Sequence, residues 1–366
     1  MSTLNVCLRK GYHTAHNDLL DHPPSGVHYE LASGVSTHSN PQLADLKRKV
    51  FRFYTALSMK PNAVYVPNGT AQLIHSTSGM IPKNNFPWVM DIEHVNSFVA
   101  FRPGSYLGRA KHSIEKHLRS EFCKKVMPWS DAAKKSLIYG LDLTGIEDKL
   151  ETVYPTMAPL KVKKEKHDEF TFTFVGVNFY GKGGKEVLQA FELLKKKHDA
   201  KLIVVADKQH WTPTEGVEFV EPGPREMIYD IYKKSDVFVM PSYHDSYGMV
   251  YIEAMNFGLP IVATKLFAIP EIIGNAGILI KPPVSYYDEH NQFAWNKWKT
   301  FMDFIKDTTF PNAVDELHKA FKTVIEDSHL RNRLGTNARK RIVSGPVSIK
   351  SRNKKLKRIY EEAIKF

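Results

Sequence analysis

Two acidic residues lie eight positions apart just after a strongly apolar run of the sequence. Asp245 and Glu253 stand in the stretch HDSYGMVYIEAMNFGLP, residues 244–260, which follows the apolar residues 237–240. Gly248 precedes a segment of helical character that Gly258 ends, so we expect Asp245 in a loop and Glu253 in the next helix. An acid in such a helix can bind the hydroxyls of a ribose, and a loop acid can reach a group further along the same ligand.

A glycine-rich stretch earlier in the sequence could hold the middle of that ligand. It reads FVGVNFYGKGG, residues 174–184. Gly176 and Gly181 let the backbone approach a ligand closely, the next helix offers free N–H groups to an anion, and Lys182 adds a positive charge. Two hydroxyl-binding acids on either side of a diphosphate-binding loop match a nucleotide-sugar, which has hydroxyls at both ends and a diphosphate in the middle. A plain Gly-rich turn, with both acids serving only the local backbone, is the structural alternative.

The elements that must position these residues alternate in the second half of the sequence. Short β-rich runs occupy residues 170–175, 201–206, 217–220, 237–240, 261–264 and 277–280, and most are separated by segments of helical periodicity. This alternation predicts βαβ units in a parallel, doubly wound sheet, where ligands bind outside the carboxyl ends of the strands.

The first half carries weaker signals of the same kind. Strands are predicted at residues 63–66, 72–75, 88–92 and 125–127, with helices at 41–58 and 105–122. The charged segment 161–169 is the best candidate for a linker. We therefore predict an α/β fold with two Rossmann-like domains, 1–160 and 161–345, and a cleft between them. Residues 346–366 are predicted to form a basic helix. One alternative is that this helix crosses back to the first domain.

Composition and charge narrow the function classes. The 366 residues contain no apolar stretch of membrane-spanning length, no visible export signal and only two cysteines, which predicts a cytosolic protein without a disulfide framework or a Cys-based metal site. Residues 331–366 hold twelve Lys or Arg and two acids, so most of the net charge of +12 lies there. Such a segment attracts the phosphates of nucleic acid, anionic lipid or a pyrophosphate-linked acceptor, or it is a solvated helix.

The second half resembles the retaining glycosyltransferases usually called family 4, or glycosyl transferases group 1, which have the GT-B fold. The resemblance rests on PSYHDSYGMVYIEAMNFGLPIVA (241–263), on the glycine loop, and on IPEII (269–273), AGILI (276–280) and LRNRLG (330–335). It implies a first domain on the acceptor side and a second domain that binds a nucleotide-sugar.

The resemblance also implies roles for individual residues. Lys182 would bind the donor diphosphate, Glu253 the ribose hydroxyls and Asp245 the transferred sugar. Backbone amides near the sugar and phosphate would come from Ser246, Tyr247, Gly248 and Met249. Such enzymes keep the anomeric configuration by front-face displacement, in which the departing phosphate helps to deprotonate the acceptor hydroxyl. They generally need no metal or other cofactor, because Lys and helix-terminal N–H groups stabilise the leaving diphosphate.

Two positions depart from the family pattern. Asp245 stands where the family usually has Glu, so its carboxylate reaches one methylene less far. Val177 follows Gly176 where the family usually has Arg, so diphosphate binding would depend more on Lys182 and the amides.

The first domain offers fewer candidates. His94 ends the run WVMDIEH, which resembles the strand whose terminal His reaches the cleft from the acceptor side; an ordinary strand-end His is the alternative. Gly26 is proposed as an N-terminal glycine turn that faces the donor phosphates. His75 and Ser130 occupy strand-end positions. Each is either a residue of the site or a merely structural residue.

Two segments bear on the acceptor, which the resemblance leaves open between a glycan, a lipid-linked and a small-molecule hydroxyl. Residues 108–125 form a basic amphipathic pattern that suits peripheral contact with an anionic membrane face or the solvated face of a helix. The aromatic-rich stretch 286–310 looks like an insertion. Its aromatic residues either pack against the rest of the domain or form a contact with a partner or a membrane.

We therefore predict a metal-independent hexosyltransferase that moves a sugar from a nucleotide-diphosphate sugar to a hydroxyl. The alternatives are a nucleic-acid-directed GT-B enzyme or binder, a sugar-nucleotide epimerase-like enzyme, and a non-catalytic nucleotide-sugar binder.

Overall fold

The computed structural model describes residues 3–11, 13–32, 60–102, 105–165, 167–207 and 213–365. Its chain divides into two compact units. Unit 1 contains Met1–Pro155, Glu289–Gln292 and Lys350–Phe366, and unit 2 contains Thr156–Asp288 and Phe293–Ile349. The helix predicted over 41–58 lies outside the described residues, and the domain limits at 160 and 345 stay predictions.

Unit 1 is built on a parallel sheet. Its described strands run in the order β2-β1-β4-β6-β7. They are β1 (Leu4–Arg9), β2 (Val27–Leu31), β4 (Leu73–Ser76), β6 (Trp88–Ile92) and β7 (Cys123–Pro128), and β3 (Ala63–Val64) pairs with β5 (Ile81–Pro82). The described helices are α1 (Asn17–Asp21), α2 (Ser105–Arg119), α3 (Asp131–Gly140) and α11 (Ile349–Ala363).

Helices cover both faces of this sheet because its strand residues alternate between two buried clusters. One cluster joins Val6, Leu73 and Val89 of the strands to Leu356 and Ile359 of α11. The other joins strand residues such as Ile74 and Met90 to Ile114 and Leu118 of α2. The apolar faces of the basic helix and of the C-terminal helix are therefore both buried within unit 1.

Unit 2 holds a second parallel sheet, with its described strands in the order β10-β9-β8-β11-β12-β13. The strands are β8 (Phe170–Val175), β9 (Ala200–Val205), β10 (Val217–Val220), β11 (Val237–Met240), β12 (Ile261–Thr264) and β13 (Gly277–Ile280). The predicted strands of the second half are thus confirmed to within one residue. The order reverses between β8 and β11, which makes the carboxyl ends of these two strands a topological switch point.

The helices of unit 2 follow these strands. They are α4 (Gly184–Lys195), α5 (Arg225–Lys233), α6 (Met249–Asn256), α7 (Ile269–Ile273), α8 (Trp298–Asp307), α9 (Pro311–Glu326) and α10 (Ser328–Val343). Helix α4 follows β8 and α6 follows β11, so the N-termini of both helices lie at the switch point.

In the part of the chain that the structure describes, no helix is long and apolar enough to cross a membrane.

Candidate functional site

The loops after β8 and β11 are held together by direct contacts at the switch point. Lys182 Nζ donates to the carbonyl oxygen of His244 at 3.0 Å and lies 2.7 Å from Asp245 Oδ2. The backbone N–H of Tyr243 donates to the carbonyl oxygen of Gly181 at 2.9 Å. The structure therefore brings together Gly181, Lys182 and Asp245, three of the residues that the sequence predicts to share a site.

The loop after β8 is closely packed around its glycines. A Cβ on Gly181 would lie 2.3 Å from the amide nitrogen of Asn178, and one on Gly176 would lie 2.8 Å from the ring of Phe174. Gly183, the residue before α4, has a φ of +75°, and a Cβ there would lie 2.5 Å from the carbonyl oxygen of Pro241. This close packing holds the N-terminus of α4 against the loop after β11.

The loop after β11 has the conformation that the sequence predicts. Asp245 lies in the loop, 8% exposed, and its Oδ1 accepts from the N–H of Tyr247 at 3.3 Å. Gly248 precedes α6 with a φ of +84°, and a Cβ there would contact the ring of Tyr251 at 2.5 Å. Ser246 lies between Asp245 and Gly248, and Met249 is the first residue of α6. Residues 245–249 therefore form one tight turn at the start of this helix.

Glu253 lies on α6 and pairs with an arginine that sequence reasoning missed. Its Oε1 lies 2.9 Å from Arg225 Nη2, and its side chain is 13% exposed. Arg225 is the first residue of α5, which follows β10. The position of Arg225 at the start of the helix after β10 could have identified it. A positive side chain at that edge of the sheet can face a phosphate or a carboxylate.

A buried acid lies in the first turn of α4. Glu186 is 1% exposed, and Lys185 Nζ lies 3.7 Å from its Oε1. Burial raises the pKa of Glu186, and the opposing effects of Tyr243 and Lys185 are smaller. The group is therefore a weaker acid than a solvated glutamate, beside a helix N-terminus that favours negative charge.

The aromatic insertion packs on the same loop. The ring of Tyr287 stacks on His244 with centroids 5.6 Å apart, and Trp298 contacts His244 edge-on at 4.6 Å. Phe301 is fully buried, while Trp298 and Phe304 are 41% and 40% exposed. The insertion therefore packs against His244, the residue directly before Asp245. Two of its aromatic residues, Trp298 and Phe304, stay partly exposed.

The candidates in unit 1 are placed differently from one another. Both ring nitrogens of the fully buried His94 are engaged: Nδ1 accepts from the N–H of Asn96 at 3.1 Å, and Nε2 lies 2.8 Å from the carbonyl oxygen of Asn291. A ligand can reach this imidazole only if Asn291 moves. Ser130 is the N-cap of α3, and its Oγ accepts from the N–H of Ala133.

Gly26 lies at the amino ends of the strands. Its carbonyl oxygen accepts from the N–H of Leu4, the first residue of β1, and it directly precedes β2. The glycine at the carboxyl end of β1 is Gly11, whose N–H donates to Thr77 Oγ1 at 2.6 Å. Sequence reasoning missed Gly11 because it did not identify β1. The signal is a glycine two residues after the mostly apolar run LNVCLR.

No group of three or more His, Cys, Asp or Glu side chains within the described ranges is arranged to hold a metal ion.

A comparison with protein families identifies the segment that carries the switch-point loops. Residues 159–294 match the model of glycosyl transferases group 1. Over these residues the chain is similar to that family. The match includes the glycine loop, Lys182, Asp245 and Glu253, and therefore agrees with the resemblance carried by the sequence motifs.

Curated relatives match parts of the chain. The chain is 33% identical over 81 residues to the D-inositol 3-phosphate glycosyltransferase of Corynebacterium diphtheriae. This aligned region covers 22% of this chain and 17% of the relative. It is 26% identical over 122 residues to the O-antigen chain mannosyltransferase B of Escherichia coli, covering 30% of this chain and 32% of the relative. The chain thus spans less than a third of the length of each of these relatives.

Solved structures match almost the whole chain and establish the fold. Sucrose-phosphate synthase from Thermosynechococcus elongatus has a TM-score of 0.63 at 16% identity, with 98% of both chains covered. Anabaena HepE, solved in complex with UDP and glucose, has a TM-score of 0.61 at 15% identity and covers 98% of this chain and 99% of its own. The chain has the GT-B fold, as the sequence predicts.

Proposed function

We propose that this protein is a retaining glycosyltransferase that moves a sugar from a nucleotide-diphosphate sugar to a hydroxyl acceptor. The observation that carries the proposal is the contact of Lys182 Nζ with Asp245 Oδ2 at the switch point of unit 2. It places a cation and an acid next to each other beside the N-termini of α4 and α6. The family match of residues 159–294 and a neighbour that binds UDP and glucose support this assignment.

The proposed roles follow the order of groups along the donor. Lys182 and the N-terminus of α4 bind the diphosphate, because both present positive charge to an anion. Glu253 accepts hydrogen bonds from the ribose hydroxyls, and Asp245 accepts them from the transferred sugar. Amides of residues 246–249 line the sugar and phosphate. Gly26 is not part of this proposal because it lies at the amino ends of its strands, and His94 would take part only after Asn291 moves.

Lys182 also has a role when the bond to the leaving group breaks. Negative charge grows on the diphosphate at that point, and a fixed cation stabilises it more than it stabilises the bound donor. We propose that the reaction needs no metal, that the product keeps the anomeric configuration by front-face displacement, and that the departing phosphate assists in taking up the acceptor proton. Activity that is unchanged in excess EDTA, and an NMR assay of the newly formed anomeric centre, test the first two points.

A thermal-shift screen tests donor binding. The wild type is mixed with UDP, GDP, ADP and their sugars, since a ligand that binds only the folded state raises its Tm. We expect one nucleotide series to raise the Tm, and we expect Lys182→Ala and Glu253→Ala to lose that shift. Lys233→Ala, which removes a surface lysine paired with Asp230, is the control that keeps it. Full donor turnover in both site variants would contradict the assignment.

The remaining alternatives give other results in the same experiments. Donor binding without turnover indicates a non-catalytic binder, and conversion of the donor sugar without transfer indicates an epimerase. A nucleic-acid function would appear as salt-sensitive DNA retention. This retention is better tested with Lys350→Glu and Lys354→Glu, which change exposed lysines, than by deleting residues 346–366, because the deletion removes Leu356 and Ile359 from a buried cluster.

The cytosolic location and the peripheral contact with anionic lipid stay predictions. If the contact exists, it uses the polar face of α2, where Arg109 and Lys116 are exposed, because its apolar face is buried. Flotation with anionic liposomes, compared between wild type and Lys116→Glu, tests it.

A further inference from the structure

Lys185 lies in the first turn of α4, where a positive side chain is unfavourable. A helix N-terminus carries a partial positive charge, so a cation there destabilises the helix unless another group binds it. The side chain is 21% exposed and reaches the C-terminal end of α8. Its Nζ donates to the carbonyl oxygens of Ile305 and Lys306 at 3.1 Å each, and to that of Thr308. These three acceptors match the three N–H groups of an ammonium.

This contact supplies what the end of α8 lacks. The last carbonyl groups of a helix have no partner within the helix, and they carry a partial negative charge. Helix α8 ends at Asp307, so the carbonyls of Ile305 and Lys306 belong to its last turn. The Lys185 ammonium therefore attaches the C-terminus of α8 to the N-terminus of α4 by both charge and hydrogen bonds.

The other end of α8 contacts the loop after β11. Trp298 meets the ring of His244 edge-on with centroids 4.6 Å apart, and the buried Phe301 packs on Tyr286 with centroids 5.0 Å apart. The N–H of Tyr286 donates to the carbonyl oxygen of Tyr243 at 3.1 Å. Helix α8 is thus attached to α4 at its C-terminus, and its first turns hold the loop that contains Asp245.

The backbone of His244 in turn orients the ammonium of Lys182. The carbonyl oxygen of His244 accepts from Lys182 Nζ at 3.0 Å, and Asp245 Oδ2 lies 2.7 Å from the same nitrogen. These two acceptors use two of the three N–H groups of Lys182, and their positions determine the direction of the third. In the proposed function, this third N–H is the one that meets the diphosphate. Its direction therefore depends on where the His244 carbonyl lies.

We propose that Lys185 is a positioning residue of the donor site. It fixes α8 against α4, α8 fixes the backbone of His244, and the His244 carbonyl directs the third N–H of Lys182 to the leaving diphosphate. Lys185 itself does not touch the donor, because its N–H groups are used by α8. This inference rests on the proposed function and adds to it a role for the aromatic insertion, which holds the catalytic lysine in one orientation.

The structural link is tested without a donor. Amide hydrogen exchange of the peptide 242–249 is followed by mass spectrometry in the wild type, Lys185→Met and Lys185→Arg. Methionine removes the donors, whereas arginine keeps a cation that can donate to carbonyls. We expect faster exchange in Lys185→Met and nearly wild-type exchange in Lys185→Arg. The control Lys196→Met changes an exposed lysine at the other end of α4 and should exchange as the wild type does. Unchanged exchange in Lys185→Met would overturn the link.

The effect on the reaction is measured as release of nucleoside diphosphate from the UDP-, GDP- or ADP-sugar that raises the Tm. We expect Lys185→Met to lower kcat by about 10²-fold, since a small misplacement of a reacting group can have that effect. The KM for the donor should stay nearly unchanged, because the orientation matters most in the transition state. Lys185→Arg should recover most of kcat, and Lys196→Met should keep it. A higher KM with an unchanged kcat would show that Lys185 binds the donor directly and would overturn the positioning role.

A double variant separates positioning from general stability. In the Lys182→Ala background, Lys185→Met should lower kcat little further, because the group that it positions has been removed. An equal loss in both backgrounds would show that Lys185 acts on stability alone and would overturn the proposal. The donor-induced Tm shift should remain in Lys185→Met and thereby show that this variant is folded.

The two proposals fail in distinguishable ways. A wild type that releases no nucleoside diphosphate from any of these sugars contradicts the proposed function, and the exchange experiment still decides the link between Lys185 and the loop. A wild type that is active while Lys185→Met is equally active overturns the role of Lys185 alone.

Discussion

Lys182 Nζ lies 2.7 Å from Asp245 Oδ2, although the two residues belong to loops that follow different strands. The pair is mostly buried, with side-chain exposures of 21% and 10%. A substrate phosphate that approaches Lys182 therefore meets a lysine already paired with an acid. In the proposed function, donor binding requires Lys182 to be shared between the phosphate and Asp245, which couples the two loops.

This coupling gives a first prediction, a non-additive double-mutant cycle. Lys182→Ala should lower kcat by about 10²–10³-fold, as does the loss of one group that stabilises transition-state charge. Lys182→Ala/Asp245→Ala should cost less than the sum of the single changes, with a coupling of about 0.5–3 kcal/mol. Steady-state kinetics of the four proteins measure it, and strict additivity would show that the contact has no role in turnover.

Glu253 and Arg225 give a second prediction, which concerns the ribose. Wild type should bind a nucleoside diphosphate more tightly than its 2′,3′-dideoxy form, whereas Glu253→Gln should lose most of this preference. Hydrogen bonds to a charged group contribute about 1.5–3 kcal/mol, so the loss should be about tenfold or more. Calorimetric titration with both nucleotides measures it.

The companion variant Arg225→Ala should have a smaller effect. Arg225 is 38% exposed, and pairs of this kind contribute about 0.2–1 kcal/mol. Its removal should weaken nucleotide binding by less than about fivefold and keep the preference for ribose. An equal loss of that preference in both variants would show that Arg225, and not Glu253 alone, recognises the hydroxyls.

Glu186 gives a third prediction, on stability against pH. The folded pKa of this acid is raised by burial, so the folded state keeps its proton at a pH where the unfolded state has lost it. Its contribution to stability is complete below the ordinary glutamate pKa and is lost as the pH rises through the raised value. Glu186→Gln should therefore raise the Tm at neutral pH and remove this part of the pH dependence. A lower Tm at pH 7 would contradict it.

A fourth prediction concerns the two faces of α11. Leu356 is 2% exposed in the cluster with Val6 and Val89, so Leu356→Ala should lower the free energy of unfolding by about 2–5 kcal/mol. Lys354→Ala, on the exposed face of the same helix, should change it by less than about 0.5 kcal/mol. Urea denaturation measures both, and equal effects would show that charge rather than packing holds the helix.

The sequence predicted unit 2 better than unit 1 for a physical reason. Runs such as Val237-Phe-Val-Met240 are buried on both faces of a parallel sheet, so they read as continuous apolar strands between clear helices. Strand β1 is a less continuous apolar run, since it includes Asn5 and Arg9, and it was missed. The choice of Gly26 rather than Gly11 followed from this, because the glycine after an unidentified strand could not be recognised.

Side-chain partners were the least predictable part of the site. Asp245 and Glu253 were expected to face a ligand, and their pairing with Lys182 and Arg225 depends on loops that the fold brings together. His94 meets the carbonyl oxygen of a residue 197 positions away, and His16 meets Asp91 from 75 positions away. No local pattern encodes such contacts, since they follow from the strand order.

The place of α11 in unit 1 sets the order in which the protein can be built. Unit 2 uses residues 156–288 and 293–349, which are all synthesised before the residues of α11 that pack on unit 1. Unit 1 begins the chain, yet its buried cluster lacks Leu356, Ile359 and Tyr360 until α11 has emerged. Domains that fold during synthesis usually do so from the N-terminus. Here the later unit can finish first, while the earlier one waits with an uncovered sheet face that a chaperone can bind.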